Sequence, residues 1–250
     1  MSFGFIDFMR DLKTFPQRFL MKNPPAFLKP CFMRPSFVKD IFLKLYYPNL
    51  ALRKNTFLKL FEMLEKNPEK TFSIVETGTA RKFLYNMAGD GASTFLFDAF
   101  LRYYDGTLIS IDADEEACRK AGAALSRKTR VVCCDSLVYL KKIQGLLDLV
   151  YLDSFDLDFH APQLSAEHHL KEFEIINSKI KPGGFLLIDD APASAEYWPA
   201  WIHAKLKEKG MTVKDLPAPN GKGYLVEDLI RRRGTYAKIL HEYQCFYQKK

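Results

Sequence analysis

The sequence has no uninterrupted apolar run approaching the roughly 18 residues that a membrane-spanning helix needs. It also lacks a secretory pattern at its start, because Asp7, Arg10 and Asp11 break the one candidate apolar stretch; both absences predict a cytoplasmic protein without a transmembrane segment. Cysteine is scarce: Cys31, Cys118, Cys133, Cys134 and Cys245 form no metal-ligand spacing, and their odd number leaves reduced thiols as the simplest reading. Adjacent Cys133 and Cys134 would face opposite sides of a strand and read as packing residues. Internal repeats and low-complexity linkers are absent. Positive charge is missing where a nucleic-acid groove would need it: residues 1–70 hold 13 Lys or Arg against 6 Asp or Glu, an excess equal to the +7 of the whole chain. The remaining 180 residues are formally neutral, so no nucleic-acid partner is expected.

What is present fits one large domain, or a domain with an appendage, in a chain of 250 residues. Phe is the one unusual abundance, at 21 copies. Residues 1–35 mix Phe with Lys and Arg, and five prolines break them into short pieces. This segment reads as one that wraps the domain or closes over its site; an anionic membrane surface, a partner, or a homodimer interface are the alternatives. Ser36 is placed to cap a helix through Tyr46, Thr56 to cap a second, and Asn67-Pro68 to end it. Residues 1–70 thus read as a basic, Phe-rich helical extension, and 71–250 as the main domain.

The stretch 71–94, TFSIVETGTARKFLYNMAGDGAST, organises the rest. Phe72, Ile74 and Val75 predict a buried strand that stops at Glu76-Thr77-Gly78-Thr79, a carboxylate followed by a residue that tolerates tight turns. Gly89-Asp90-Gly91-Ala92-Ser93-Thr94 then precedes a helical stretch, where glycines let a ligand approach the backbone near a helix N-terminus. Beyond it strands at 107–111, 131–134, 147–152 and 184–188 alternate with helices at 115–126, 136–143 and 164–180. Continuous apolar strands separated by helices predict a doubly wound, mostly parallel α/β sheet, Rossmann-like, covered on both faces. A helix near 197–209 and two strands near 211–215 and 223–227 follow; the strands form a terminal antiparallel hairpin that brings the sheet to seven.

Each predicted parallel strand ends in a carboxylate: Glu76, Asp112, Asp135, Asp153, and the pair Asp189-Asp190. In an open parallel sheet these ends line the edge where ligands bind, although a single acid there as often caps the next helix. Asp112, with Asp114 beside it, is placed to accept both hydroxyls of a ribose, and Asp135-Ser136 to meet a base edge. Asp153, Asp189 and Asp190 make an all-oxygen cluster that suits a hard cation such as Mg²⁺. Without a cation, three clustered carboxylates repel and one should take up a proton.

From about residue 71 to 227 the sequence resembles the S-adenosylmethionine-dependent methyltransferases of the Rossmann-like class. Glu76-Thr77-Gly78-Thr79 is similar to their first motif, Asp112 stands in the place of the ribose-binding acid, Asp135 near the adenine position, and Lys181-Pro182-Gly183-Gly184 resembles the turn before strand five. A nicotinamide-binding reading fits less well, because the glycines do not stand as GxGxxG and Asp112 lies farther from Gly78 than the usual roughly 20 residues. Within the class the pattern is similar to metal-dependent O-methyltransferases of the catechol and macrocin (sugar) type, which carry an acid after strand four and an Asp-Asp or Asp-Asn pair after strand five. It departs from them in the first motif, where Arg81 to Asp90 is inserted before Gly91-Ala92-Ser93; the insertion is a candidate for the substrate pocket.

The resemblance implies S-adenosylmethionine as cofactor, contacted by Glu76, Gly78, Thr79, Gly91, Ser93, Thr94, Asp112, Asp135, Ser136 and Asp153. It implies Mg²⁺ or another divalent cation on Asp153, Asp189 and Asp190, and a small hydroxylated metabolite or sugar as acceptor. Asp153 or a histidine, His160 first and then His168 or His169, would take the acceptor's proton. Two other readings stay open: a metal-independent methyltransferase acting on nitrogen or a macromolecule, and a non-catalytic module that engages a membrane or partner. Nucleic-acid amino methylation is disfavoured, because strand four ends in Leu152-Asp153-Ser154-Phe155 and not an Asp-Pro-Pro-Tyr type of sequence.

Overall fold

All six residues of the strand Leu147–Leu152 are buried. Strand side chains alternate between faces, and here Leu149 and Tyr151 join one core while Val150 and Leu152 join the other. Such a strand belongs in the middle of a sheet covered on both sides. The computed structural model describes residues 36–81, 86–90, 92–157, 161–215 and 221–250, and its strands are β1 (Thr71–Thr77), β2 (Asp105–Asp112), β3 (Thr129–Cys133), β4 (Leu147–Leu152), β5 (Ile180–Ile188), β6 (Tyr236–His241) and β7 (Cys245–Lys249). They form one sheet in the order β3-β2-β1-β4-β5-β7-β6. The first five are parallel, β7 runs antiparallel to β5, and β6 antiparallel to β7. This is the doubly wound sheet predicted from the sequence, with its reversal between β1 and β4.

The abundance of Phe is explained on one face. Helices α1 (Val38–Tyr46), α2 (Lys54–Glu65) and α3 (Ser93–Tyr103) cover it with Phe42, Phe57, Phe61, Phe97 and Phe100, joined by Phe37. Ring centroids lie 5.0 Å apart for Phe37 and Phe61, and 5.0 Å for Phe72 and Phe100, the separation at which aromatic pairs attract beyond their burial. Ser36 Oγ accepts from the Lys39 amide at 3.2 Å, the expected cap. Thr56 is no cap: α2 already begins at Lys54, and Thr56 is buried inside it. Residues Ser36–Lys250 pack as one unit. Helices α1 and α2 therefore share the core of the sheet, and the division expected at residue 70 falls inside that unit; residues 1–35, with their basic Phe-rich pattern, lie outside the described residues.

The other face is covered by α5 (Pro162–Ile176) and a later helix, Tyr224–Arg233, through Phe173, Ile176, Val226 and Ile230, while α4 (Glu115–Gly122) joins β2 to β3 on the same face as α3. Between them α6 (Ala200–Glu208) forms a small apolar cluster of its own with Trp198, Ile202, Leu206 and Val213. The helix at 224–233, α7, corrects the sequence reading, which put the hairpin at 211–215 and 223–227. Val226 and Ile230, buried four residues apart, mark helical and not strand periodicity. Arg231, Arg232 and Arg233 sit favourably at the negative end of the helix, and Gly234, at φ +64°, closes it. Residues Val213–Asp215 make one turn of 3-10 helix, and the hairpin follows α7. Cys133 is exposed and Cys134 half-buried, because β3 is an edge strand; neither belongs to the core. Among the described residues no helix is long and apolar enough to cross a membrane.

Candidate active site

The turn after β1 is held from beneath. Glu76 is fully buried and accepts hydrogen bonds from Ser93 Oγ, from Thr94 Oγ1 at 2.7 Å and from Ser110 Oγ at 2.7 Å. Burial pushes its carboxyl up to about 7, against the pull of the three hydroxyls. Thr94 Oγ1 also accepts from the Ala80 amide at 2.9 Å, so Glu76, Ser93 and Thr94 tie the turn to the start of α3. These three predicted cofactor contacts thus hold one another, beneath the loop. Gly78 has φ +85°, and a Cβ there would lie 2.4 Å from the Asp153 carbonyl oxygen; only glycine lets β1 and β4 approach so closely at this edge. Gly91 lies outside the described residues.

Asp112 is fixed at the end of β2. Its Oδ2 accepts from the Thr79 amide at 2.8 Å and its Oδ1 from the Asp114 amide at 2.9 Å, while Asp114 caps α4 through the Ala117 amide at 2.9 Å. Asp135 accepts from the Val138 amide at 3.2 Å, capping the single turn Ser136–Tyr139. Ser136 Oγ lies 3.0 Å from His168 Nε2. His168 in turn is 3.3 Å from Glu172, a fully buried carboxylate that also accepts from Thr77 at 3.1 Å and Ser154 at 2.6 Å. His169 is buried, bonds the Ser165 carbonyl at 2.8 Å and is pushed down to about 4 by burial. Both histidines bond within and beside α5; His160 lies outside the described residues.

The three acids after β4 and β5 come together as expected. Parallel pairing runs past the strand ends, with the Asp153 amide on Thr77 O at 2.9 Å and the Asp189 amide on Leu152 O at 3.0 Å. What the sequence did not reveal is their company. Arg53, almost fully buried, places Nε 3.0 and 2.7 Å from the two oxygens of Asp189 and Nη2 3.3 Å from Asp190 Oδ1. Gln244 Nε2 donates to Asp189 at 3.0 Å, and the Tyr243 hydroxyl donates to Asp190 Oδ1. Lys222, 1% exposed, bridges Asp153 Oδ1 at 3.1 Å and Asp190 Oδ2 at 2.9 Å. The Gly221-Lys222-Gly223 loop makes this reach possible. The Lys222 amide donates to the Asp190 carbonyl at 2.9 Å, and a Cβ on Gly221 would lie 2.0 Å from that same carbonyl oxygen. Sequence pattern alone starts a strand at 223 and so misses this loop; two glycines flanking one lysine are the available signal.

Three carboxylates and two cations leave a formal charge of −1. Burial pushes Asp153 well above the usual carboxylate range, with Asp189 and Asp190 adding to it and Lys222 opposing. For Asp190 burial acts in the same sense but is outweighed by Lys222 and Arg53, which hold it below that range. Magnesium demands a near-octahedral shell of oxygens at about 2.1 Å. Here Asp189 is committed to Arg53 and Gln244, Asp190 to Arg53, Tyr243 and Lys222, and one oxygen of Asp153 to Lys222. The donor set does not fit a divalent cation alongside Lys222, whose ammonium stands between two of the three expected ligands.

A cavity of about 1060 Å³ opens over these groups, with Arg53, Arg81, Asp153, Asp190, Lys222 and Tyr243 on its polar side and Trp198 and Trp201 opposite in character. It is half open to solvent, and its size suits a small molecule. Asn86, Ala88 and Gly89, from the inserted segment, also line it, and Arg53 Nη1 donates to Ala88 O at 3.3 Å.

Strand order and the antiparallel terminal hairpin are those of the Rossmann-like fold of class I, S-adenosylmethionine-dependent methyltransferases. The sequence matches no protein-family model and no curated protein. Among solved structures it is similar to the MycE methyltransferase from the mycinamycin biosynthetic pathway in complex with Mg and SAH, at a TM-score of 0.56 and 15% identity over 87% of this chain and 55% of that one. The same enzyme with Mg, SAH and mycinamycin VI gives a TM-score of 0.54 at 15% identity, over 86% and 55%. The chain therefore spans about half the length of these MycE chains.

Proposed function

We propose that the protein is an S-adenosylmethionine-dependent methyltransferase that methylates a hydroxyl oxygen of a small metabolite or sugar. The observation that carries this reading is the juxtaposition of Asp112, fixed by two backbone amides beside the Gly78 turn, with Asp153, a partly buried carboxylate of raised proton affinity, on the wall of a half-open cavity. Similarity of fold to a methyltransferase solved with SAH supports it. In this reading Asp112 holds the ribose hydroxyls, and the backbone at Gly78 and Thr79 leaves room for the rest of the cofactor. When bound, S-adenosylmethionine supplies an activated methyl: the O–CH₃ bond forms, the S–CH₃ bond breaks with its electron pair returning to sulfur, and the hydroxyl proton is released. Asp153 takes that proton, a task its raised affinity suits. The formal −1 of the acid and cation cluster complements a sulfonium charge of +1. No step in this reading passes through a divalent metal, because the expected ligands are engaged by Arg53 and Lys222.

Calorimetric titration of S-adenosylhomocysteine tests it. The full chain should bind in the micromolar range, and Asp112→Ala should weaken binding on the order of 100-fold, the scale of two charge-assisted hydrogen bonds. Absence of binding to the unaltered chain would sink the proposal.

A further inference from the structure

The loop 221–223 puts a lysine where the acid pattern of the sequence calls for a metal. Lys222 is 1% exposed, its ammonium bridges Asp153 and Asp190 at 3.1 and 2.9 Å, and it lines the cavity. It is not a surface side chain that has folded inward. Its own amide is anchored on the Asp190 carbonyl at 2.9 Å, and both neighbouring positions require glycine for close approach: a Cβ would lie 2.0 Å from Asp190 O at Gly221 and 2.7 Å from the Ala191 Cβ at Gly223. The third acid, Asp189, is separately satisfied by Arg53 and Gln244.

We propose that the Lys222 ammonium is the resident cation of this cluster, a positioning residue that holds Asp153 and Asp190 in place of a divalent metal and presents its charge to a single acceptor oxygen. This rests on the methyltransferase reading and narrows its acceptor. A hard dication binds two neighbouring oxygens at once and so selects vicinal diols. An ammonium donates one N–H at a time to separate acceptors, so the acceptor class is a lone hydroxyl, with no need of a second oxygen beside it.

The test titrates Mn²⁺, followed by the loss of its free-ion paramagnetic resonance signal, into the full chain and into Lys222→Met and Lys222→Arg, each with and without S-adenosylhomocysteine. The unaltered chain should take up no Mn²⁺ at the acid cluster at submillimolar concentrations. Lys222→Met, which leaves Asp153 and Asp190 without their ammonium, should gain an affinity on the order of 100-fold or more above that of the unaltered chain, and Lys222→Arg should lose that gain. A loss of packing alone would not create a metal site. Mn²⁺ binding by the unaltered chain that disappears in Asp153→Asn overturns the proposal, and that measurement needs no Lys222 variant to fold. A folded Lys222→Met as indifferent to Mn²⁺ as the unaltered chain overturns it too. Failure of S-adenosylhomocysteine to bind would instead defeat the methyltransferase reading, while the Mn²⁺ result would still decide what Lys222 does.

Discussion

Replacing Arg53 by Met keeps the length of the side chain and removes its charge from beside two acids. Arg53 meets both oxygens of Asp189 at 3.0 and 2.7 Å and reaches Asp190 at 3.3 Å, and Asp189 has no exposed surface through which water could take over. A unit charge pair about 4 Å apart interacts by roughly 4 kcal/mol at an effective dielectric near 20, before the cost of desolvation is counted. Removing one member of a buried pair costs about 3–5 kcal/mol, because the other is left buried and unmatched. Gln244, at 3.0 Å, remains the partner of Asp189 and places the expected loss toward the lower end of that range. In a domain of this size 1 kcal/mol moves Tm by about 2–4 °C, so Arg53→Met should melt roughly 6–12 °C lower in a thermal scan at pH 7.5. The double variant Arg53→Met, Asp189→Leu should recover at least half of that loss, since the stranded charge is gone. A single variant within about 1 kcal/mol of the unaltered chain by urea unfolding would refute the assignment of this pair as a buried, mutually dependent one.

Glu76 should make stability depend on pH. Its folded-state carboxyl lies at about 7 against an ordinary 4.5, so its contribution is complete below pH 4.5 and is lost as pH rises through 7, by roughly 3 kcal/mol at 1.36 kcal/mol per pH unit. Glu76→Gln should flatten urea-unfolding stability over that window; an unchanged slope would assign the pH dependence elsewhere. Gly221→Ala combines φ +61° with a Cβ placed 2.0 Å from the Asp190 carbonyl oxygen. It should displace the loop and cost about 2 kcal/mol or more in unfolding free energy, and a Tm equal to that of the unaltered chain would contradict the close approach.

The sheet was legible because its strands carry uninterrupted apolar runs, which only a sheet buried on both faces demands. The acids at the ends of β4 and β5 were legible for the same reason: once the strands are placed, topology alone brings Asp153 and Asp189 to one edge. The hairpin was misplaced because Tyr224-Leu225-Val226 is as apolar as a short strand, and three residues do not separate periods of 2 and 3.6. Asp135 shows the other limit. An acid at a strand end can reach for a ligand or cap the next turn, and its bond to the Val138 amide, which no spacing rule distinguishes from the alternative, favours the cap. Arg53 was out of reach altogether. Nothing in Leu52-Arg53-Lys54 marks which of two adjacent cations turns inward, since that depends on a carboxylate 136 positions away.

That distance bears on the order in which the molecule is made. Arg53 leaves the ribosome among the aromatic residues of α1 and α2, long before Asp189, Asp190 and Tyr243 exist to receive it, and Lys222 follows the acids it bridges. Synthesis runs from the N-terminus at about 5–20 residues per second, so Arg53 waits on the order of ten seconds for Tyr243, during which its half of the charge balance stays hydrated. Its buried place against Asp189, Asp190 and Tyr243 thus joins parts of the chain that are made far apart in time.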